Sequence, residues 1–393
     1  MSKNLKTTIL VAAGVAFTLA SCSEDETIAK VSTNPGERQE IEFTLDMMSR
    51  GTDRTIANLD TIWVYADDGA AEVFPATAFI KNEYGYFKPE KKIYWPDDKE
   101  NVNFTAFWPR LNLEGETRPT SFIFEPGDDY PMKYTAPSTS KDCYDFITAT
   151  KQLSKDDFKG TIPLAFSHAF SQVDIKVKQS PTADHRIVIY GGTLSFSANK
   201  RNYRFTDNSW EASSEILSGM SAMPDEILTV GEEATSILSE NAQVYVPSGV
   251  CKFARYDIKK VSSTLIRLIL FAKIYDEDNN IIYPTEEDGN ISYQVGEYSL
   301  YPRVPNAVQK DKFTSMGRDI SECGILNIQL GTDEIEFKSG YKYIFNIDFT
   351  FGAGYFESVD PISPYGPILK NPISAEVTVE EWNSTELDDM EQN

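Results

Sequence analysis

Apolar and polar residues alternate without a fault through Glu40-Ile41-Glu42-Phe43-Thr44-Leu45-Asp46. In an extended chain Ile41, Phe43 and Leu45 fall on one face and Glu40, Glu42, Thr44 and Asp46 on the other, so the segment predicts a half-buried strand. Short runs rich in β-branched and aromatic residues, closed by Pro, Gly or Asp, predict further strands at 61–66, 84–87, 93–95, 102–108, 144–150 and 173–177. Another is expected at 187–196, where Gly191-Gly192 predicts a bulge or bend. The pattern resumes at 243–247, 265–275 and 341–351, and it ends with Ile373, Ala375, Val377 and Val379 alternating against polar neighbours. Residues 296–324 are irregular, with room for one short helix. Many short strands with this punctuation predict an all-β protein of two successive sandwiches. The break at Ser180-Pro181-Thr182-Ala183-Asp184 divides them into 40–180 and 181–382. A polar tether is expected over 22–39, and the acidic tail 383–393 is expected to be disordered.

One apolar run has no such period. Residues 9–20 are almost continuously apolar, follow Lys3 and Lys6, and end in Leu19-Ala20-Ser21-Cys22. About a dozen residues cannot cross a ~30 Å hydrocarbon core, so 1–21 reads as a signal peptide. Small residues ahead of a cysteine resemble a bacterial lipobox, which makes Cys22 the lipid attachment site and the first mature residue. Acyl chains contribute ~0.8 kcal/mol per buried methylene, so several on one residue anchor a chain to a membrane. The plainer alternative is an ordinary secretory cleavage site that happens to hold a cysteine. The following Ser23-Glu24-Asp25-Glu26 is at least a solvated, self-repelling tether. It also resembles the acidic signal that sends lipoproteins to the outer face of the outer membrane.

A formal charge of −23 argues against nucleic acid and against electrostatic binding to anionic lipid, since both need a basic face. Apart from Cys22 the chain has Cys143, Cys251 and Cys323, which allow one disulfide at most and no zinc ribbon or redox CxxC. The two histidines, His168 and His185, lie in unrelated contexts, and His168 sits among apolar residues, where a packed, hydrogen-bonded role is expected. No phosphate-binding loop or nucleophile elbow is present, and no cofactor is expected. Asp276, Asp278, Asn280 and Glu287 match positions one, three, five and twelve of a calcium loop, but Ile281 stands where the sharp turn needs glycine. A polar hairpin turn is the better account. A pair of catalytic carboxylates needs a fixed spacing that no segment of this acidic chain singles out.

Several segments, taken in order, resemble the fimbrillin (Mfa-like) family, the subunits of type V pili. They are the lipobox, the strand 40–46 with arginines after it, Tyr94-Trp95-Pro96, the run from Val102 to Pro109, Asp145-Phe146-Ile147-Thr148-Ala149 and Leu164-Ala165-Phe166-Ser167-His168-Ala169-Phe170. Ser339-Gly340-Tyr341-Lys342-Tyr343-Ile344-Phe345 and Val377-Thr378-Val379-Glu380-Glu381-Trp382 continue it. The resemblance implies two transthyretin-like sandwiches in a surface-exposed outer-membrane lipoprotein of the fimbrium. It also implies removal of the first strand by an Arg-specific protease, with Arg50 or Arg54 at the cut, and refilling of the groove by a strand of another subunit. Ile41, Phe43 and Leu45 would then be the replaced strand, and Ile373, Ala375, Val377 and Val379 a candidate donor. The expected partners are other fimbrillin subunits, in a homo- or hetero-polymer, and surface ligands of host or bacterial cells. Alternatives are a tip or accessory adhesin, and a glycan-binding lipoprotein that does not polymerise.

Overall fold

The computed structural model describes residues 38–46, 56, 59–108, 122–197, 200–211, 217–239, 244–253, 265–286, 288, 294–295, 298–299, 303–328, 330, 334–357, 365–369 and 373–381. Cys22, Arg50 and Arg54 lie outside them, as do the acidic tail and Glu287. Strands dominate. The first half contributes β1 (Glu42–Leu45), β2 (Thr61–Asp67), β3 (Glu72–Lys81), β4 (Phe87–Pro89), β5 (Asn101–Trp108), β6 (Phe122–Phe124), β7 (Met132–Thr135), β8 (Ile147–Ser154), β9 (Thr161–Leu164), β10 (Ser167–His168) and β11 (Phe170–Lys178). Next come β12 (His185–Ser197), β13 (Lys200–Arg204), β14 (Ser209–Trp210), β15 (Leu217–Ala222), β16 (Leu228–Thr229), β17 (Thr235–Ser236), β18 (Val244–Pro247), β19 (Gly249–Phe253), β20 (Leu265–Asp276) and β21 (Ile281–Tyr283). The chain continues with β22 (Gln294–Val295), β23 (Tyr298–Ser299), helix α1 (Ala307–Ser315), β24 (Gly324–Ile328), β25 (Glu334–Phe337), β26 (Tyr341–Asp348), β27 (Tyr355–Glu357), β28 (Tyr365–Pro367) and β29 (Ser374–Glu381).

Eight strands form one sheet in the order β10-β8-β5-β2-β3-β4-β1-β9. Side chains from strands all along that order, from Ile147 on β8 to Ile162 on β9, share a single core with Phe43, Phe79 and Phe104, so the sheet folds over its own apolar face. The second core lies between two sheets. One is β17-β11-β26-β29, with β18 also on β11; the other runs β15-β12-β20-β24-β27-β28 with short additions at its margins. Val173, Ile175 and Val177 meet Leu268, Leu270 and Ala272 there. Outside β20, α1 seals Ile269 and Phe271 with Phe313. Asn306 caps this helix, exchanging bonds with Gln309 in a capping box.

The long alternating segments form strands as the pattern predicts, and the register of β12 against β20 slips between Ile189 and Gly191. Glycine is required there because a Cβ on Gly191 would sit 2.5 Å from Phe313 of the sealing helix. Three short expectations are corrected. The strand expected at 84–87 is a turn, with Gly85 at φ +83° and Tyr84 exposed, and β4 begins only at Phe87. Residues 93–95 make a single bridge, Tyr94 to Glu40, instead of a strand. The strand expected from 144 begins at Ile147, after a turn of 3-10 helix at Ser140–Asp142.

β11 precedes the division expected at 180/181, yet among the described residues it pairs with β17, β18 and β26, which follow it, and with no strand before it. The hairpin β6–β7 likewise joins β13 and β14 in a four-stranded sheet drawn from both sides of that division. Around it Trp63, Phe107, Phe122, Phe146, Phe170, Tyr203, Phe205 and Trp210 build an aromatic seam, and the rings of Phe170 and Trp210 are stacked with centroids 5.0 Å apart.

Candidate functional site

Among the described strands of the first core, β1 comes first in the chain and its inward side chains are buried. β1 lies between β4 and β9, antiparallel to the former at Phe43↔Phe87 and parallel to the latter from Glu42↔Thr161 to Leu45↔Leu164. Backbone bonds run to both sides. Ile41 N–H donates to Ile93 O at 2.8 Å, Glu42 N–H to Gly160 O at 3.1 Å and Asp46 N–H to Leu164 O at 2.9 Å, while Trp95 N–H donates back to Gln39 O at 3.3 Å. β1 is therefore an inner strand, although it stands first in the sheet's sequence order.

Its apolar face is buried as the alternation predicts. Ile41 and Phe43 are fully enclosed and Leu45 nearly so. Phe43 meets the edges of Phe79 and Phe104, with ring centroids 4.9 and 5.5 Å away. Burying three such side chains contributes about 1.5–3 kcal/mol each, and each backbone bond about 0.5–1.5 kcal/mol. A slot emptied of this strand would expose two rows of unpaired backbone groups above apolar pockets, the kind of edge open to β-augmentation.

Two lysines that the alternation gave no reason to single out clasp the outward face. Lys88 Nζ, on β4, lies 2.5 Å from Glu42 Oε1, and Lys92 Nζ lies 2.9 Å from Glu40 Oε2. The hydrogen bond from Lys92 to Glu40, reinforced by the carboxylate's charge, raises the pKa of the lysine. Both pairs are solvent-accessible, so they set register more than they stabilise. Sequence offers no cue to them, because the partners meet only once β4 is placed beside β1.

The C-terminal strand is already housed. β29 pairs antiparallel with β26 from Tyr341↔Glu381 to Asp348↔Ser374 and forms the edge of its sheet. Ile373, Ala375 and Val377 rest half-buried against the second core, whereas Val379 is exposed. Donor and groove residues are therefore not brought together within one chain.

The other sites considered resolve into structure. His168 is buried with Nδ1 2.5 Å from Asp145 Oδ2, and Asp145 Oδ1 accepts from Phe146 N–H, tying β10 to the segment ahead of β8. His185 is buried too, its Nε2 3.0 Å from Phe349 O. At the sequence resembling a calcium loop, the Asp276 carboxylate accepts from both the backbone and side-chain nitrogens of Asn280, closing the β20–β21 hairpin. Cys143, Cys251 and Cys323 are free thiols, and burial pushes each up to about 12.

Comparison with known proteins gives a concordant picture. A model of the fimbrillin-like family matches residues 49–382. The chain is similar to the fimbrium subunit Fim1C of Phocaeicola vulgatus, at 24% identity over 245 residues, covering 53% of this chain and 63% of the relative. The match thus spans less than two thirds of that relative. Among solved structures, a fimbrial protein from Bacteroides vulgatus aligns with a TM-score of 0.51 at 16% identity, over 88% of this chain and 99% of that one, a likeness of fold.

Proposed function

The chain belongs to the fimbrillin-like family, and from that premise we propose that it is a cell-surface fimbrial subunit that assembles by losing β1 and accepting a strand from another subunit. The observation that carries the proposal is β1 itself. It is an inner strand whose apolar side chains Phe43 and Leu45, with Ile41 just ahead of it, fill the core, yet it is the first strand described and is followed in sequence by Arg50 and Arg54. Arg38, before the strand, would not free it if cut. The relation to a fimbrium subunit supports the cell surface as its place. Cys22 supplies the lipid that holds the precursor at the outer membrane before assembly. The role is structural: the subunit contributes a groove and a strand, and its partners are other fimbrillin subunits and the surfaces the fimbria meet.

The test treats the purified, unlipidated precursor with an Arg-specific protease and follows intact mass and denaturant-resistant ladders. Loss of a fragment ending at Arg50 or Arg54 is the expected result, and ladders growing from the cut chain alone would show that it also donates a strand to its own copies. A chain that stays uncut at both arginines and monomeric would sink strand replacement. Clean cleavage without ladders would make the subunit an acceptor that needs another protein's strand.

A further inference from the structure

The slot that holds β1 is cut to size, not only to pattern. Its centre is the pocket of Phe43, fully enclosed and walled by the edges of Phe79 and Phe104. Those walls are themselves packed, Phe79 against Phe74 and Phe104 against Phe74 and Trp95, so they have little room to collapse onto a smaller guest. Register is set from outside: Lys88 faces Glu42, the residue immediately before the central anchor.

The chain's own C-terminal strand can be laid into this frame. With Glu376 in the place of Glu42, Thr378 takes the place of Thr44 and Glu380 that of Asp46, so the outward face of β1 is reproduced. The inward face is reduced throughout, since Ala375, Val377 and Val379 stand for Ile41, Phe43 and Leu45. Sliding by two residues puts Ala375 or Val379 at the centre, and reversing the strand changes none of these choices. No register of residues 373–381 brings an aromatic side chain to the Phe43 pocket.

We infer that the slot selects a strand of a different subunit: apolar at three alternate positions, aromatic at the middle one, and carrying a carboxylate just before it to meet Lys88. Through residues 373–381, a second copy of this chain is the poorer occupant. This selection rests on the strand-replacement reading and adds to it the identity of the partner.

The test uses the full chain nicked by an Arg-specific protease, with its N-terminal fragment left in place and labelled. Four peptides compete for the slot: residues 39–46, the same peptide with Phe43→Val, residues 373–381, and the same with Val377→Phe. The 39–46 and Val377→Phe peptides are expected to release the label at concentrations at least about tenfold below the other two, the range a lost aromatic anchor costs. A 373–381 peptide as effective as 39–46, or no gain from Val377→Phe, would overturn the selection while leaving strand replacement standing. Release by none of the four, the strand's own sequence included, would overturn strand replacement and the selection with it.

Discussion

Phe43 is the side chain on which the first core closes. It has no exposed surface, two edge-to-face aromatic neighbours, and a place on the one strand that precedes the rest of its sheet. Phe43→Ala is expected to cost about 3–5 kcal/mol, read as a fall in the urea midpoint, whereas the half-buried Thr44→Ala should stay within about 0.5 kcal/mol. Equal losses would mean that β1 is held by its backbone and not by its anchors. Asp288 makes a different residue-scale case. Burial alone would raise its pKa, but the bond from Arg303, 2.7 Å away, and those from the Thr285 N–H and hydroxyl prevail and hold it below the ordinary value. Its contribution to stability is therefore present above the unfolded pKa, near 4, and is lost as pH falls below that. Between pH 6 and pH 3 the urea midpoint should drop, and Asp288→Asn should flatten that drop; an unchanged slope would remove Asp288 from the acid response. Of these two sites the sequence shows only the first. The alternation places Phe43 inward before any partner is known, but nothing near Asp288 in the chain points to Arg303.

At the scale of elements, the legible strands are those whose pattern persists. β1 and β5 carry a burial alternation long enough to dictate a face, β26 and β29 alternate in sequence, and each forms where its pattern predicts. Shorter aromatic runs mislead. Tyr84-Gly85-Tyr86-Phe87 has strand composition, but a turn forms because Asn82 accepts bonds from the backbone of both Tyr84 and Tyr86. Position within the sheet is harder still to read, since β1 and β29 look alike in sequence while one is internal and the other an edge. That difference is measurable. Amides of β29, which has a partner only in β26, should exchange with solvent orders of magnitude faster than those of β20, flanked by β12 and β24. Comparable protection of the two strands would argue that β29 is not available for donation.

At the scale of the whole molecule, two sandwiches were expected as neighbours in the chain, and two cores are found, but they are bound by a third. Local pattern cannot reveal that seam, because β7 and β13 pair across a long separation and their inward residues, Met132, Tyr134 and Tyr203, with Trp210 on the neighbouring β14, read simply as aromatic-rich segments. Its consequence is mechanical as well as thermodynamic. Interfaces between domains of one chain are commonly small and polar, which lets the domains move apart. Here Phe146 touches Phe122, Phe170, Tyr203 and Trp210, and the Trp210 Nε1–H donates to Ala169 O at 2.8 Å, so the two cores meet through an apolar interior. Residues 39–393 are accordingly expected to unfold in one calorimetric transition, without the separate melting of halves typical of loosely joined domains. Replacing both Phe146 and Trp210 by Ala empties the seam while sparing Phe43 and the core between β11 and β20, so the single transition should split in two. A subunit whose wild-type halves already melt apart would refute the coupling. One that stays cooperative after the double replacement would move the coupling to the β7–β13 backbone ladder. Under the strand exchange proposed above, tension entering at the groove beside β1 and leaving through β29 would cross that seam.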